Sequence, residues 1–287
     1  MKFGMSTLMF LGRRLDREVI RGIAGAGVNR LEVFMQRPHF DAADKAQLRE
    51  VMEALDAYGV EVLSAHAPIY RDRLKDREAR RLGLLSLCAS DKALRDQSVR
   101  ELEQAIGACA AFGAPNLVVH TGLVSGDDEE VSRCVESLHH AAEWAKGLGV
   151  NLALENGTAP GTSVGLLMEV LRRLGMENAG ICLDVGHSAI YSNPHADVRQ
   201  ARPFLFSVHL HDNDGTEDQH LLPGRGTVDF FDVVAFLRKS GFIGIMTMEV
   251  EPEASGALAD LFALAGRVAV LIDTFDRGLL RAVERGP

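Results

Sequence analysis

From Phe206 to Gly226 the chain reads FSVHLHDNDGTEDQHLLPGRG. An apolar run, Phe204 to Val208, meets His209, His211 and Asp212, and a polar loop then brings Asp218 and His220 before Pro223, Gly224 and Gly226 close it. Imidazole nitrogens and carboxylate oxygens packed this densely after a buried run suit a divalent metal. A loop of solvated histidines would look the same in isolation. The difference is that other apolar runs finish the same way: SAHAP at His66, LVVHTG at His120, LALENG at Glu155, ICLDVGHS at Asp184 and His187, and MTMEVE at Glu249. Six runs ending independently in His, Asp or Glu are hard to attribute to chance. They supply nine metal-competent side chains: His66, His120, Glu155, Asp184, His187, His209, Asp218, His220 and Glu249. His211 could instead orient one of these ligands. His39, His139, His140 and His195 fall outside the pattern, and His139 and His140 sit mid-helix.

The elements that must position these residues alternate along the chain. Strand candidates are Lys2–Met5, Arg30–Phe34, Glu61–Ser64, Asn116–Val119, Asn151–Leu154, Gly180–Leu183, Leu205–Val208 and Ile245–Met248. Several are continuously apolar, as strands buried on both faces should be. Between them lie amphipathic patterns at Ala46–Tyr58, Ser98–Phe112, Glu130–Leu148, Val164–Leu174 and Phe230–Lys239, with Gly59, Gly113, Gly149, Gly175 and Gly241 placed to cap helix ends. Eight such units without an internal linker predict an α/β protein, one (β/α)8 TIM barrel domain over residues 1–287. In that fold the C-terminal strand ends converge on the face where chemistry occurs. A doubly wound open sheet is the alternative, but no G-x-G-x-x-G follows the first strand. Two segments break the rhythm. Ala67–Asp91, with the charged run Arg71–Arg81, is a solvated helix or a lid, and Ala257–Leu280 is a final helix that closes the barrel.

Composition narrows the classes. With 47% hydrophobic residues the chain can bury a large core, and no apolar segment approaches the roughly 20 residues that span a bilayer. The apolar start leads to Arg13 and Arg14 rather than to a cleavage site, and reads as a first strand. Cys88, Cys109, Cys134 and Cys182 are scattered, without C-x-x-C spacing, which predicts reduced thiols and a cytoplasmic protein. A net charge of −9 leans against nucleic acid as a partner. A homo-oligomer is left open.

In this order and spacing, LALENG, ICLDVGHS, HLHDNDGTEDQHLLPGRG and MTMEVE resemble the xylose isomerase-like barrel superfamily over nearly the whole chain. That superfamily includes ketose 3-epimerases, inosose dehydratases, hydroxypyruvate isomerase and the zinc-dependent endonuclease IV group. PHFD (Pro38–Asp41), SAHAP and the Leu94–Ile106 run resemble sugar phosphate isomerase/epimerase sequences. For the isomerases and epimerases the resemblance implies one Mn²⁺, Mg²⁺ or Co²⁺ on Glu155, Asp184, His209 and Glu249. Glu155 and Glu249 would move a proton next to a chelated carbonyl, and His187 would hold a terminal substrate oxygen. For the endonuclease IV group it implies three zinc ions on all nine side chains. Ketose epimerases generally lack His66 and His120 and have an Arg-bearing loop at His220, so ligand count favours the hydrolase. The nucleic-acid grip points the other way. Asp214 and Gln219 stand where that group has a Lys and an Arg, Ser6-Thr7 replaces its His-Ser, and Ile69 stands where its wedge Tyr lies.

The expectation is therefore a metal-dependent isomerase or epimerase acting on a sugar, polyol or sugar phosphate. Glu155, Asp184, His209 and Glu249 hold the principal ion, and His66, His120, His187, Asp218 and His220 line the site or hold further ions. Zinc or manganese suits the His-rich set best. Arg225 is a candidate contact for an anion or a plain surface residue, and Gly224 and Gly226 either let the backbone approach a substrate or serve only the turn. The rivals are a multi-zinc phosphodiesterase or abasic-site nuclease, and a barrel that binds sugar or metal without turnover. The Glu155/Glu249 pair argues against the last, because binding needs no two flanking bases.

Overall fold

The apolar runs become eight parallel strands: β1 (Lys2–Ser6), β2 (Arg30–Phe34), β3 (Glu61–His66), β4 (Asn116–Val119), β5 (Asn151–Glu155), β6 (Ala179–Asp184), β7 (Leu205–Leu210) and β8 (Ile245–Met248). In the computed structural model, which describes residues 1–71, 83–157, 160–252 and 257–278, each strand pairs with the next and β8 returns to β1. The sheet closes into a barrel, which excludes the open doubly wound alternative.

Five strands run one or two residues past the apolar stretches, β1 to Ser6, β3 to His66, β5 to Glu155, β6 to Asp184 and β7 to Leu210. Their polar ends look like loop in the sequence, yet the backbone there still pairs. Phe34 faces His66, Glu155 faces Cys182, and Asp184 faces His209. Four of the chemistry-bearing side chains, His66, Glu155, Asp184 and His209, are therefore set on the sheet itself.

Nine helices surround the barrel among the described residues: α1 (Arg17–Gly25), α2 (Lys45–Tyr58), α3 (Lys92–Ala111), α4 (Asp128–Gly147), α5 (Val164–Leu174), α6 (Val185–Tyr191), α7 (Pro194–Ala201), α8 (Phe230–Lys239) and α9 (Leu258–Asp276). Side-chain caps fix most starts: Asp16, Asp44, Asp91, Asp127, Ser163, Asp184, Asn193 and Asp229 each accept a first-turn N–H. Asp91 starts α3 six residues ahead of the expected Ser98, through a polar first stretch that apolar periodicity does not mark. Gly59 and Gly175 end α2 and α5 in the left-handed region, at φ 64° in each case.

The last helix closes the layer as expected, though within tighter bounds than Ala257–Leu280; Leu280 lies outside the described residues. Its Leu261, Ala265, Val268, Ile272 and Phe275 recur at helical spacing and are buried, and Phe275 stacks on Phe3 of β1 at 5.4 Å. After β3, Tyr70 pairs with Leu84 and the Arg71 N–H donates to Gly83. The charged run beyond Arg71, and with it the lid expectation, lies outside the described residues. No helix among the described residues is long and apolar enough to cross a membrane. All four cysteines are free and buried.

Candidate metal centre

Because the strands are parallel, their C-terminal ends bring all nine predicted side chains to one mouth, in three groups. Within each group the candidate ligand atoms lie within 4.8 Å of one another. The first is His66, His120 and Glu155: Glu155 Oε2 is 3.1 Å from His66 Nε2 and 2.7 Å from His120 Nε2. The second is Glu155, Asp184, His209 and Glu249. His209 Nδ1 lies 2.9 Å from Glu155 Oε1, 3.2 Å from Glu249 Oε2 and 4.0 Å from Asp184 Oδ2. The third is His187, His211, Asp218 and His220, with Asp218 oxygens 3.1 Å from His187 Nε2 and 3.3 Å from His220 Nε2. Glu155 belongs to two groups. Asp184 Oδ1, 3.0 Å from His211 Nε2, links the second to the third.

Main-chain carbonyls set the imidazole tautomers. His66 Nδ1–H donates to Ala67 at 2.7 Å, His187 Nδ1–H to Asn156 at 2.8 Å, and His220 Nδ1–H to Glu249 at 3.0 Å. A carbonyl can only accept, so the first ring proton sits on Nδ1 and the Nε2 lone pair faces carboxylates. Two acceptors that close need a proton or a cation between them. His220 holds this position at φ 47°, uncommon for a residue with a Cβ and the kind of backbone cost found at functional sites.

The electrostatics carry the same demand. Burial opposes charge on Glu155, but His209 and His120 outweigh it and hold the carboxyl well below its usual range. Burial likewise opposes charge on Glu249, and the His209 charge and hydrogen bond bring it down to about 2. For His209 the burial penalty is overcome by surrounding acids including Glu249, Glu32 and Glu155, which hold the ring well above its ordinary value. Burial disfavours a charged His220, yet Asp218 and Glu249 push it up to about 9. Protons on imidazoles thus balance buried carboxylates, and a divalent cation would displace those protons. The donor set fits one on a further count. Asp184 Oδ2, Glu249 Oε1 and His211 Nδ1 are buried without a hydrogen-bond partner.

Several expectations need correction. Gly224 and Gly226 do not offer their N–H groups to a substrate: both donate to Asp212 Oδ2 at 2.8 Å. A Cβ on Gly226 would lie 2.1 Å from the Asn213 carbonyl, so this glycine serves the packing of its own loop. Asp214 spends its carboxylate on a turn, accepting from the N–H groups of Thr216 and Glu217, rather than facing a ligand. His187 presents Nε2 to Asp218, so a substrate oxygen would compete with that carboxylate for it. His211 lies in the third group, and its Nε2 also stands 3.0 Å from Asp184 Oδ1 of the second. Arg225 is exposed on the turn that closes the loop. Of the remaining histidines, His39 is buried beside β1, His139 and His140 are exposed on α4, and His195 pairs with Asp232.

Three residues escape a reading of strand ends. Asp212 is fully buried and accepts four backbone N–H groups, from Asn213, Gly224, Gly226 and Val228. Asn156 accepts the Asp184 N–H and supplies the carbonyl that orients His187. Glu32 sits inside the barrel, fully buried, in the RLEVF run. A lone acid in a strand buried on both faces was the available signal.

The comparisons with known proteins agree with this architecture. The uncharacterized protein MJ1311 of Methanocaldococcus jannaschii is 26% identical over 265 residues, 87% of this chain and 83% of that protein. An inosose isomerase of Halalkalibacterium halodurans is 26% identical over 174 residues, 56% of this chain and 61% of its own. A probable endonuclease 4 of Citrifermentans bemidjiense is 26% identical over 151 residues, 48% and 53% of the two chains. Among solved structures, a D-tagatose 3-epimerase-like protein superposes with TM-score 0.78 at 23% identity, covering 98% of this chain and 100% of the other. The IolI protein with a bound zinc atom gives 0.76 at 17%, covering 96% and 98%. At those identities the structural likeness is one of fold. The family described as the xylose isomerase-like TIM barrel matches residues 20–265, and the chain belongs to it.

Proposed function

We propose that this protein is a divalent-metal-dependent sugar isomerase or epimerase, acting on a keto-sugar, a polyol-derived ketone or a sugar phosphate. The observation that carries the reading is the convergence of Glu155 and Glu249 on a single point, 2.9 and 3.2 Å from His209 Nδ1, with a partnerless carboxylate oxygen of Asp184 beside them. A cation held by these four residues would chelate a carbonyl and its neighbouring hydroxyl, acidify the C–H between them and stabilise an enediolate. Glu155 and Glu249 then act as the acid–base pair, one removing the proton and the other returning it. Isomerase and epimerase relatives support this class of reaction. The oxygen-rich set of Glu155, Asp184, His209 and Glu249 suits Mn²⁺, Mg²⁺ or Co²⁺, and the three histidines of the third group suit zinc.

The test is deuterium exchange from solvent into a panel of ketoses, inososes and their phosphates. We expect metal-dependent exchange into at least one, reduced roughly 10²–10⁴-fold in Glu249→Gln and in Glu155→Gln. Tight binding of a sugar with no exchange anywhere in the panel would favour a non-catalytic barrel.

A second reading is favoured by a specific observation: three neighbouring ligand groups, two sharing Glu155 and the third reached through Asp184, the count a multi-zinc phosphodiesterase needs. Metal analysis with an abasic-DNA nicking assay separates the two. Nicking at low enzyme concentration, lost in Glu249→Gln, overturns the isomerase assignment.

A further inference from the structure

We propose that Glu32 is a positioning residue that locks the His209 ring in the one tautomer able to bind a cation. The inference rests on reading Glu155, Asp184, His209 and Glu249 as a cation site.

Glu32 lies on β2, fully buried, in the interior that β-barrels of this type usually fill with branched apolar side chains. Its Oε2 is 2.7 Å from Ser64 Oγ, 3.2 Å from His209 Nε2 and 3.5 Å from Thr247 Oγ1, while Oε1 has no partner at all. A carboxylate so placed costs several kcal/mol of desolvation, and two hydroxyls would be satisfied as well by a neutral acceptor. What the charge serves is the third neighbour.

His209 is flanked by acceptors at both ends. Glu155 and Glu249 stand at Nδ1, and Glu32 stands at Nε2. Without Glu32, a neutral ring would place its proton on Nδ1 and donate it to Glu155 or Glu249. That tautomer blocks the atom that faces the other three candidate ligands. Glu32 draws the proton to Nε2 and leaves the Nδ1 lone pair aimed at the cation position. Its charge also makes the ring a stronger donor. The register supports a built arrangement. Glu32 faces Ser64 across β2–β3, and His209 faces Thr247 across β7–β8, so the strands themselves hold the network together.

The test is Mn²⁺ binding to the full chain, followed by electron paramagnetic resonance, in Glu32→Gln and Glu32→Leu. The expected result is affinity weakened about 10-fold in the first and about 100-fold in the second, the range that outer partners of metal-bound imidazoles control. Co²⁺ absorption bands should move in Glu32→Gln but not in Ser64→Ala, which leaves the Glu32–His209 bond intact. Unchanged Mn²⁺ affinity in Glu32→Gln, or Co²⁺ spectra identical to wild type, overturns the inference. Should the Leu variant fail to fold, Glu32→Gln decides alone. A wild-type chain that takes up no divalent cation overturns the cation site itself, and this inference with it.

Discussion

Asp212 stands next to the candidate ligands without being one, and a single carboxylate there replaces a hydrophobic core for a whole loop. Its two oxygens take four main-chain N–H groups between 2.8 and 3.0 Å, and its own backbone pairs with Leu221. Asp212→Asn turns one acceptor into a donor facing N–H groups, and should cost about 3 kcal/mol, read as a lower urea midpoint. The same variant should open the segment between Asn213 and Val228 to limited proteolysis. The residue types at the site could be listed from sequence because strand-end His, Asp and Glu stand out against apolar runs. The role of Asp212 could not, since its partners are backbone amides that every residue carries. His211 was ambiguous for a related reason: spacing puts it one residue past β7, and only the fold shows which way its ring points.

Among the elements, the runs of β2, β4 and β8 match their strands residue for residue, because each is bounded by clear turn signals. β1, β3, β5, β6 and β7 extend beyond their apolar runs, where polar residues sit on or next to the strand end. The loop after β1 depends on a histidine outside the metal pattern. His39 Nδ1–H donates to Arg13, and Nε2 accepts from the Thr7 hydroxyl, whose oxygen in turn accepts the Phe34 N–H. Burial lowers its pKa from 6.5 to about 4, so the folded chain keeps it neutral while the unfolded chain protonates it first. Its contribution to stability is therefore complete above pH 6.5 and is lost as pH falls toward 4. The loss is on the order of 3 kcal/mol. Urea melts of wild type and His39→Gln across that window should converge as the pH drops; curves that stay parallel would deny His39 this role.

For the whole molecule, barrel closure was legible from eight repeated units, whereas the grouping of ten candidate ligands into three clusters required knowing which ring faces which carboxylate. A resident cation would displace the imidazolium protons that balance the buried acids, and would stabilise the fold by its binding. At free cation a hundredfold above Kd, one site adds about 2.7 kcal/mol, which for a chain of this size means roughly 4–5 °C in Tm. Chelator should reverse the gain, and a Tm indifferent to both cation and chelator would count against any resident ion. One feature reaches further. Glu249 gives its side chain to one cluster and its carbonyl to His220 in another, and Asn156, adjoining Glu155, does the same service for His187. An ion held at the centre would therefore also brace the walls of the neighbouring cluster. Successive ions should load with mutual assistance, giving a sigmoidal uptake curve rather than a sum of independent steps.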